Sequence, residues 1–330
     1  MKTVYLGNSG LKISELGFGT MSFGGDADEA TSAAMYRRCR DAGIQLFDCA
    51  DVYAGGRSEE IVGRLIAGHR DEIVLATKAY FPTGPGPNDR GSTRYHLVRA
   101  VEASLSRLNT DRIDLFFLHR MDDHTPLEQT LRTLDDLVSA GKILYVALSN
   151  FAAWQVTKAL GIGVLRGFSP VVAIQPMYNL LKRTAEIEIL PMAHSEGLGV
   201  LPYSPLGGGM LTGKYGRSRR PEHGRVVDNK MYTTRYGDPG LFETAERFVS
   251  LAGELGHHPV SLAIRWVASH PAVSAPLIGA RNLEQLEPAL QSVELALDSD
   301  LYARISALST KPPPATDRNE ESSAHNYGSR

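Results

Sequence analysis

Short apolar runs rich in β-branched residues alternate with amphipathic helical patterns along almost the whole chain of 330 residues. Such alternation is typical of a parallel sheet whose strands are joined by crossover helices. The predicted strands end near Gly19, Asp48, Lys78, His119, Ser149, Gln175, Tyr203 and Gly279. Because eight strand–helix repeats suffice to close a sheet on itself, the pattern favours a (β/α)8 TIM barrel over an open doubly wound sheet.

Three further segments complete the predicted organisation. Residues 1–12 predict an N-terminal β-hairpin that turns at Asn8-Ser9-Gly10. A long loop is expected after strand 7, between Tyr203 and Gly279, and long loops of compact domains commonly cover binding sites. Residues 309–330 are Pro-rich and then polar, so they predict a disordered tail. The barrel is therefore expected over residues 1–308 as one domain.

The amino-acid composition limits the classes of binding partner and the cellular compartment that we expect for this protein. The 35 Lys and Arg residues against 37 Asp and Glu give a formal charge of −2, which offers no basic excess for nucleic acid or an anionic membrane. No apolar stretch reaches the roughly 18 residues that span a bilayer. The first residues lack a signal sequence, and two cysteines cannot build a disulfide framework. We therefore expect a cytoplasmic protein that acts on a small molecule.

Polar side chains stand at the ends of several predicted strands. Asp48, Lys78 and His119 each follow an apolar run, and Tyr53 lies five residues beyond Asp48. Because strand ends meet at one face of such a barrel, we expect these four side chains to lie together. Asp48 would keep Lys78 protonated, and the Lys78 ammonium would lower the pKa of the Tyr53 phenol. His119 would donate to a substrate carbonyl, so the group suits protonation of an oxygen that gains negative charge.

Two segments could bind phosphate. Residues 208–214 have the glycine and lysine spacing of a P-loop, but Tyr215 replaces the Ser or Thr that holds Mg²⁺. This predicts a metal-free pyrophosphate cradle rather than ATP hydrolysis. Residues 279–281 end in an arginine and lead into a helix, where they could hold a ribose phosphate or form an ordinary turn.

With these residues in place, the chain from Met1 to about Leu308 resembles the aldo-keto reductase family. The resemblance is carried by Phe47-Asp48-Cys49-Ala50-Asp51-Val52-Tyr53 with Gly56-Arg57-Ser58-Glu59-Glu60, and by Lys78 and His119. It is extended by Ser149-Asn150-Phe151, Gln175-Pro176-x-Tyr178-Asn179 and Tyr203-Ser204-Pro205-Leu206. By this resemblance the catalytic tetrad is Asp48, Tyr53, Lys78 and His119.

The resemblance implies an enzyme that reduces an aldehyde or ketone to an alcohol by hydride transfer from NADPH, with Tyr53 as general acid. It implies these cofactor-binding residues: Gly19, Thr20, Met21, Asp48, Ser149, Asn150, Gln175, Tyr203, Ser204, Pro205, Leu206, Gly208, Lys214, Gly279, Arg281 and Gln285. Gly279, Arg281 and Gln285 would bind the 2′-phosphate end, which favours NADPH over NADH. Pro288-Ala289 stand where the family commonly has a Glu-Asn pair that touches adenine, so weaker adenine contacts are expected.

Two other functions remain open at this stage. The family includes channel-associated subunits that bind NADPH and turn over slowly, so a cofactor-binding regulatory subunit is the alternative. Lys78 could also be the nucleophile of a Schiff-base aldolase on the same barrel. His119, Asp122, Asp123 and His124 lack a third His or Cys and any recognised ligand spacing, so no metal site is predicted.

Overall fold

The computed structural model of the chain describes residues 1–324, and the strands there form two sheets. The first is an antiparallel hairpin of β1 (Thr3–Tyr5) and β2 (Lys12–Ser14). The second is parallel and contains β3 (Gly17–Gly19), β4 (Leu46–Asp48), β5 (Val74–Ala79), β6 (Ile113–Leu118), β7 (Ile143–Ser149), β8 (Val171–Gln175), β9 (Gly199–Val200) and β10 (Leu277–Ile278). Each predicted strand end lies within three residues of an observed one.

The parallel sheet closes into a barrel. Its strand order is β10-β3-β4-β5-β6-β7-β8-β9, so β9 and β10 stand at its two ends. The backbone amides of Ser274 and Leu277 donate to the carbonyls of Val200 and Pro202, each at 2.9 Å, and these bonds join the two ends. The predicted (β/α)8 barrel with an N-terminal hairpin is confirmed.

Helices cover the outside of the barrel. Those within the described residues are α1 (Glu29–Asp41), α2 (Arg57–Ile66), α3 (Arg94–Leu108), α4 (Leu127–Ser139), α5 (Ala153–Arg166), α6 (Ile189–Ser195), α7 (Arg225–Asp228), α8 (Lys230–Tyr236), α9 (Pro239–Glu254), α10 (Pro259–Ala268), α11 (Leu283–Leu290) and α12 (Ser299–Ser306). In α3 the apolar residues at helical spacing, Leu97, Val101, Leu105 and Leu108, are all buried. Apolar stripes of this kind determine which face of a helix packs on the sheet.

The barrel interior is closed at one end by the hairpin. Leu6 and Ile13 belong to the same buried apolar cluster as Leu46, Leu115 and Phe117 from the barrel strands. All five are completely shielded from solvent, and burial of each such side chain contributes about 1.5 to 3 kcal/mol. These apolar side chains fill the hairpin end of the barrel. Polar side chains therefore lie at the opposite end, where the parallel strands finish.

The segment after β9 is largely helical. It begins with a 3-10 turn at Gly207–Thr212 and continues through α7 to α10, so the loop expected after strand 7 is a set of short helices. None of the described helices is both long and apolar enough to cross a membrane. In the predicted tail, Asn319–Ser322 form a 3-10 turn, and residues 325–330 lie outside the described residues.

Candidate active site

Three neighbouring strands bring the first polar side chains to one face. Asp48 is the last residue of β4, Lys78 lies one residue before the end of β5, and His119 follows β6 directly. Tyr53 begins a 3-10 turn in which Ala54 has a left-handed φ of 48°. That turn reverses the chain after β4 and holds the phenol over the ends of the strands. The structure therefore brings Asp48, Tyr53, Lys78 and His119 together.

The Lys78 ammonium lies at the centre of this group. Its Nζ donates to Asp48 Oδ2 at 2.6 Å, to the Cys49 carbonyl at 2.7 Å and to Tyr53 Oη at 3.5 Å. Burial alone disfavours the ammonium, but the charge of Asp48 and its hydrogen bond to Lys78 help to outweigh that effect, and the pKa of Lys78 is raised. A protonated amine whose three N–H groups are all engaged has no free electron pair, which disfavours the Schiff-base aldolase.

The Tyr53 phenol differs from the sequence prediction. Burial raises the pKa of Tyr53 to about 12, and the neighbouring Lys78 ammonium only partly opposes this shift. The predicted net fall in the pKa of Tyr53 is therefore wrong. The physical reason is that loss of water penalises the phenolate more than one ammonium, already paired with Asp48, can offset. Tyr53 consequently carries its proton at neutral pH.

His119 is an uncharged member of the group. Burial, assisted by the Lys78 charge, lowers the pKa of His119 to about 3. Its ring packs edge-on against Tyr53 at 6.2 Å and against Phe81 at 4.8 Å between ring centroids. Its Nδ1 is buried and has no hydrogen-bond partner among the described residues. A neutral imidazole has one N–H, which can donate to the oxygen of a bound carbonyl.

A chain of hydrogen bonds links this group to the strands on the other side of the barrel. Gln175 Nε2 donates to Asp48 Oδ1 at 3.0 Å, and Ser149 Oγ donates to the Gln175 carbonyl at 3.0 Å. Asn150 Nδ2 donates to Ser149 Oγ at 3.0 Å, and the Tyr203 hydroxyl donates to Asn150 Oδ1 at 2.7 Å. Side chains held by such a network keep one orientation before any ligand arrives.

A glycine turn lies beside this network. Gly207, Gly208 and Gly209 have left-handed φ values of 57°, 67° and 95°. A Cβ on Gly208 would lie 2.9 Å from the Tyr232 ring, and one on Gly209 would lie 3.2 Å from Lys214 Cε. The turn therefore needs glycine both for its conformation and for space, and successive backbone amides in such a turn suit an anion.

Cations from separate segments surround the glycine turn. Burial lowers the pKa of Lys214, and the positive charges of Arg281 and Arg225 lower it further. Of these three, Arg281 has a carboxylate partner, with its Nε 2.9 Å from Asp26 Oδ2. This excess of positive charge beside a glycine cradle fits the phosphates of a dinucleotide. Arg225 and Asp26 were not predicted; the arginine content of the long segment was the available signal for Arg225.

Comparison with known proteins agrees with this geometry. Residues 15–310 match the model of the aldo/keto reductase family. The chain belongs to the aldo/keto reductase family. The uncharacterized oxidoreductase YrpG of Bacillus subtilis is 37% identical over 327 residues, which cover 94% of this chain and 97% of that protein. The resemblance seen in the sequence is thereby confirmed.

Two other relatives are named for different functions. A probable voltage-gated potassium channel subunit beta of Arabidopsis thaliana is 37% identical over 297 residues, covering 88% of this chain and 90% of that protein. L-glyceraldehyde 3-phosphate reductase of Escherichia coli strain K12 is 32% identical over 306 residues, covering 89% of this chain and 88% of that enzyme. Family membership supports an oxidoreductase, and the relatives differ in what they do.

In this aldo/keto reductase the predicted cofactor residues differ in exposure. The exposed ones are Met21, Asn150, Lys214, Gly279 and Gln285; the partly exposed ones are Gly19, Tyr203, Ser204, Leu206 and Arg281; the buried ones are Thr20, Asp48, Ser149, Gln175, Pro205 and Gly208. Thr20 has no exposed surface, and its hydroxyl contacts Ser58 Oγ at 2.8 Å and the Asp48 carbonyl at 3.2 Å. The hydroxyl of Thr20 is therefore engaged within the fold, and contact of Thr20 with a cofactor stays a prediction.

The acidic loop after His119 has a structural explanation. Asp122 accepts hydrogen bonds from the Ser92 amide at 2.7 Å, the His124 amide at 3.0 Å and the Thr125 hydroxyl at 2.8 Å. These bonds fold the loop onto the start of the neighbouring helix. Within residues 1–324, no group of three or more His, Cys, Asp or Glu side chains is placed to hold a metal ion.

Proposed function

We propose that this aldo/keto reductase reduces an aldehyde or ketone to an alcohol with NADPH, and that Tyr53 is the general acid. The observation that carries the proposal is the contact of the Lys78 ammonium with Tyr53 Oη at 3.5 Å, in a buried site where Lys78 is held by Asp48 at 2.6 Å. An ammonium at that distance stabilises the phenolate that proton donation leaves behind.

The residues present fit the proposed cofactor. We infer that Lys214, Arg225 and Arg281 hold its phosphates together with the glycine turn, since their positive charges are only partly balanced. The Tyr203 ring would lie against the nicotinamide, and the polar network of Ser149, Asn150 and Gln175 would receive its carboxamide. NADPH rather than NADH is proposed because a 2′-phosphate is an additional anion for these cations.

The chemistry then divides between the cofactor and the chain. Bound NADPH would supply a hydride to the carbonyl carbon. Tyr53 gives its Oη proton to the carbonyl oxygen as negative charge builds there, and Lys78 stabilises the phenolate. Asp48 keeps Lys78 charged and in place. The neutral His119 ring donates a hydrogen bond to the carbonyl oxygen and so orients it toward Tyr53.

A cofactor-binding regulatory subunit is the second candidate, because one relative is named as a channel subunit. This alternative predicts tight binding of NADPH with negligible reduction across a broad carbonyl panel. The complete tetrad favours turnover instead. We also propose a cytoplasmic location, in accord with Cys39 and Cys49, which are both free thiols and both buried.

The test replaces Tyr53 by Phe and follows the loss of NADPH absorbance with a panel of aldehydes and ketones, with NADH assayed in parallel. We expect Tyr53→Phe to reduce turnover by about 100-fold to 10,000-fold, the usual contribution of a general acid. The dissociation constant for NADPH, measured by fluorescence, should stay within about twofold of wild type.

The matched control is Tyr36→Phe. Tyr36 is a buried phenol whose hydroxyl bonds to His69 Nε2 at 2.6 Å rather than to a member of the tetrad. The control should keep full turnover. Substantial carbonyl reduction by Tyr53→Phe would reject Tyr53 as the acid, and tight NADPH binding without reduction by wild type would favour the regulatory subunit.

A further inference from the structure

Asp51 is a buried carboxylate that the proposed mechanism does not use. It lies three residues after Asp48 and two before Tyr53, and only 3% of its surface is exposed. Its backbone amide donates to the Lys78 carbonyl at 3.1 Å, which places the residue against β5. Neither carboxylate oxygen has a hydrogen-bond partner among the described residues. A charge there is costly, because burial has removed most of the water that would solvate it.

The charged groups around Asp51 come from three elements packed against it: Glu59 of α2, Arg107 of α3 and Lys78 of β5. Arg107 Nε donates to the fully buried Glu59 at 2.7 Å. Lys78 is paired with Asp48 at 2.6 Å. The two cations are thus already matched with two carboxylates, and Asp51 is a third carboxylate with no cation of its own.

The charge state of Asp51 consequently depends on the solution. Burial and the Glu59 carboxylate both raise the pKa of Asp51, to about 7, while Arg107 and Lys78 act in the opposite direction. A carboxyl of this kind is neutral in mildly acidic solution and negative in mildly alkaline solution. The change takes place at a residue whose backbone amide is bonded to the Lys78 carbonyl.

We propose that Asp51 is a positioning residue that acts on Tyr53 through Lys78: uncharged, it leaves the ammonium to stabilise the phenolate, and ionised, it weakens that stabilisation. This inference rests on the function proposed above. A negative charge behind Lys78 makes Tyr53 a weaker acid, so carbonyl reduction slows as the solution becomes alkaline. Asp51 itself transfers no proton: Tyr53 passes its proton to the carbonyl oxygen and recovers one from water.

The first experiment compares wild type with Asp51→Asn, which has the same shape and cannot ionise. Turnover for carbonyl reduction is measured with saturating substrate and NADPH from about pH 5 to about pH 9. Wild-type turnover should fall as the pH rises through about 7, and that step should be absent in the variant. At the alkaline end Asp51→Asn should be faster than wild type by about fivefold to tenfold, the effect of one nearby charge.

Two further variants separate this role from a structural one. Glu59→Gln removes the repelling carboxylate and frees Arg107, so it should move the step to lower pH, and it serves as the test if Asp51→Asn does not fold. Asp122→Asn is the matched control, because Asp122 is buried but fully hydrogen-bonded, and it should keep the wild-type profile. The inference is overturned if the fall in turnover near pH 7 is the same in wild type, Asp51→Asn and Glu59→Gln.

Thermal unfolding provides a readout that needs no activity. The native pKa of Asp51 lies above that of an unfolded aspartate, about 3.9, so its stabilising contribution is complete at low pH and lost as the pH rises to about 7. The Tm of Asp51→Asn should therefore gain on wild type by about 5 °C between about pH 4 and about pH 8. A difference in Tm between the two proteins that does not change with pH overturns the inference.

The outcomes also distinguish this inference from the proposed function. Carbonyl reduction with identical pH profiles in both proteins overturns the role of Asp51 and leaves the proposed function intact. Absence of carbonyl reduction in wild type overturns both, and the thermal comparison then identifies Asp51 as a titrating group of the fold alone.

Discussion

The two ends of the candidate site differ in whether their charged side chains are paired within the fold. At the tetrad end, Lys78 and Asp48 are buried, paired at 2.6 Å and tied to Gln175 at 3.0 Å. At the other end, which we propose binds the cofactor phosphates and call the phosphate end, Lys214 is exposed and lies beside the glycine turn, and Arg281 is partly exposed. One end has its charges matched within the fold, whereas the other has positive charge in excess.

This difference shows which role each end can perform. Matched, buried charges keep fixed positions and act in a low dielectric, which is what proton transfer requires. Excess exposed charge attracts and holds an anion, and it is screened by salt until the anion arrives. We therefore expect substitutions at the tetrad end to affect turnover and stability, and those at the phosphate end to affect cofactor affinity.

The largest effect is expected from Lys78→Met. Removing the ammonium leaves Asp48 buried without its cation, which should destabilise the fold by about 3 to 5 kcal/mol. Turnover should fall by about 100-fold to 10,000-fold, because the phenolate loses its stabilising charge. Urea unfolding and steady-state reduction measure the two effects. The control Lys78→Met/Asp48→Asn should recover stability without activity; recovery of both would contradict the assignment of Lys78.

A smaller and more selective effect is expected from Arg281→Met. Loss of a charge-assisted hydrogen bond should raise the dissociation constant for NADPH by about 10-fold to 100-fold, and that for NADH by less than about twofold. Turnover at saturation should not change. Asp26→Asn is the matched control, since it frees Arg281 from its 2.9 Å ion pair and should tighten NADPH binding. Equal losses for both cofactors would show that Arg281 does not meet the 2′-phosphate.

The smallest effect is expected from Gly208→Ala. Its left-handed φ of 67° and the 2.9 Å approach of a Cβ to Tyr232 should cost about 1 to 3 kcal/mol of stability. NADPH binding should weaken several-fold while turnover at saturation stays the same. Gly161→Ala is the control: Gly161 is exposed in α5 with no atom within 4 Å of an added Cβ, so alanine should stabilise by about 0.5 to 1 kcal/mol. If Gly208→Ala changed neither stability nor NADPH binding, the turn would not require glycine at this position.

Much of the fold could be predicted because it depends on local patterns. The stripe of Leu97, Val101 and Leu105 marks the buried face of α3, and the turn near Ser9 marks the hairpin. The content of the segment after β9 could not be predicted in the same way. Its short helices are settled by packing on the rest of the barrel, where Tyr232 and Tyr236 are buried, rather than by their own sequence.

The sequence by itself determined which residues reach the mouth of the barrel, because strand periodicity and strand ends fix the positions of Asp48, Lys78 and His119. Tertiary structure alone decided how those groups behave. Burial reversed the expected shift in the pKa of Tyr53. The periodicity of the sequence indicates on which face of its own strand or helix a side chain lies. Desolvation and charge pairing depend instead on residues that are distant in the chain and are brought together only in the folded barrel.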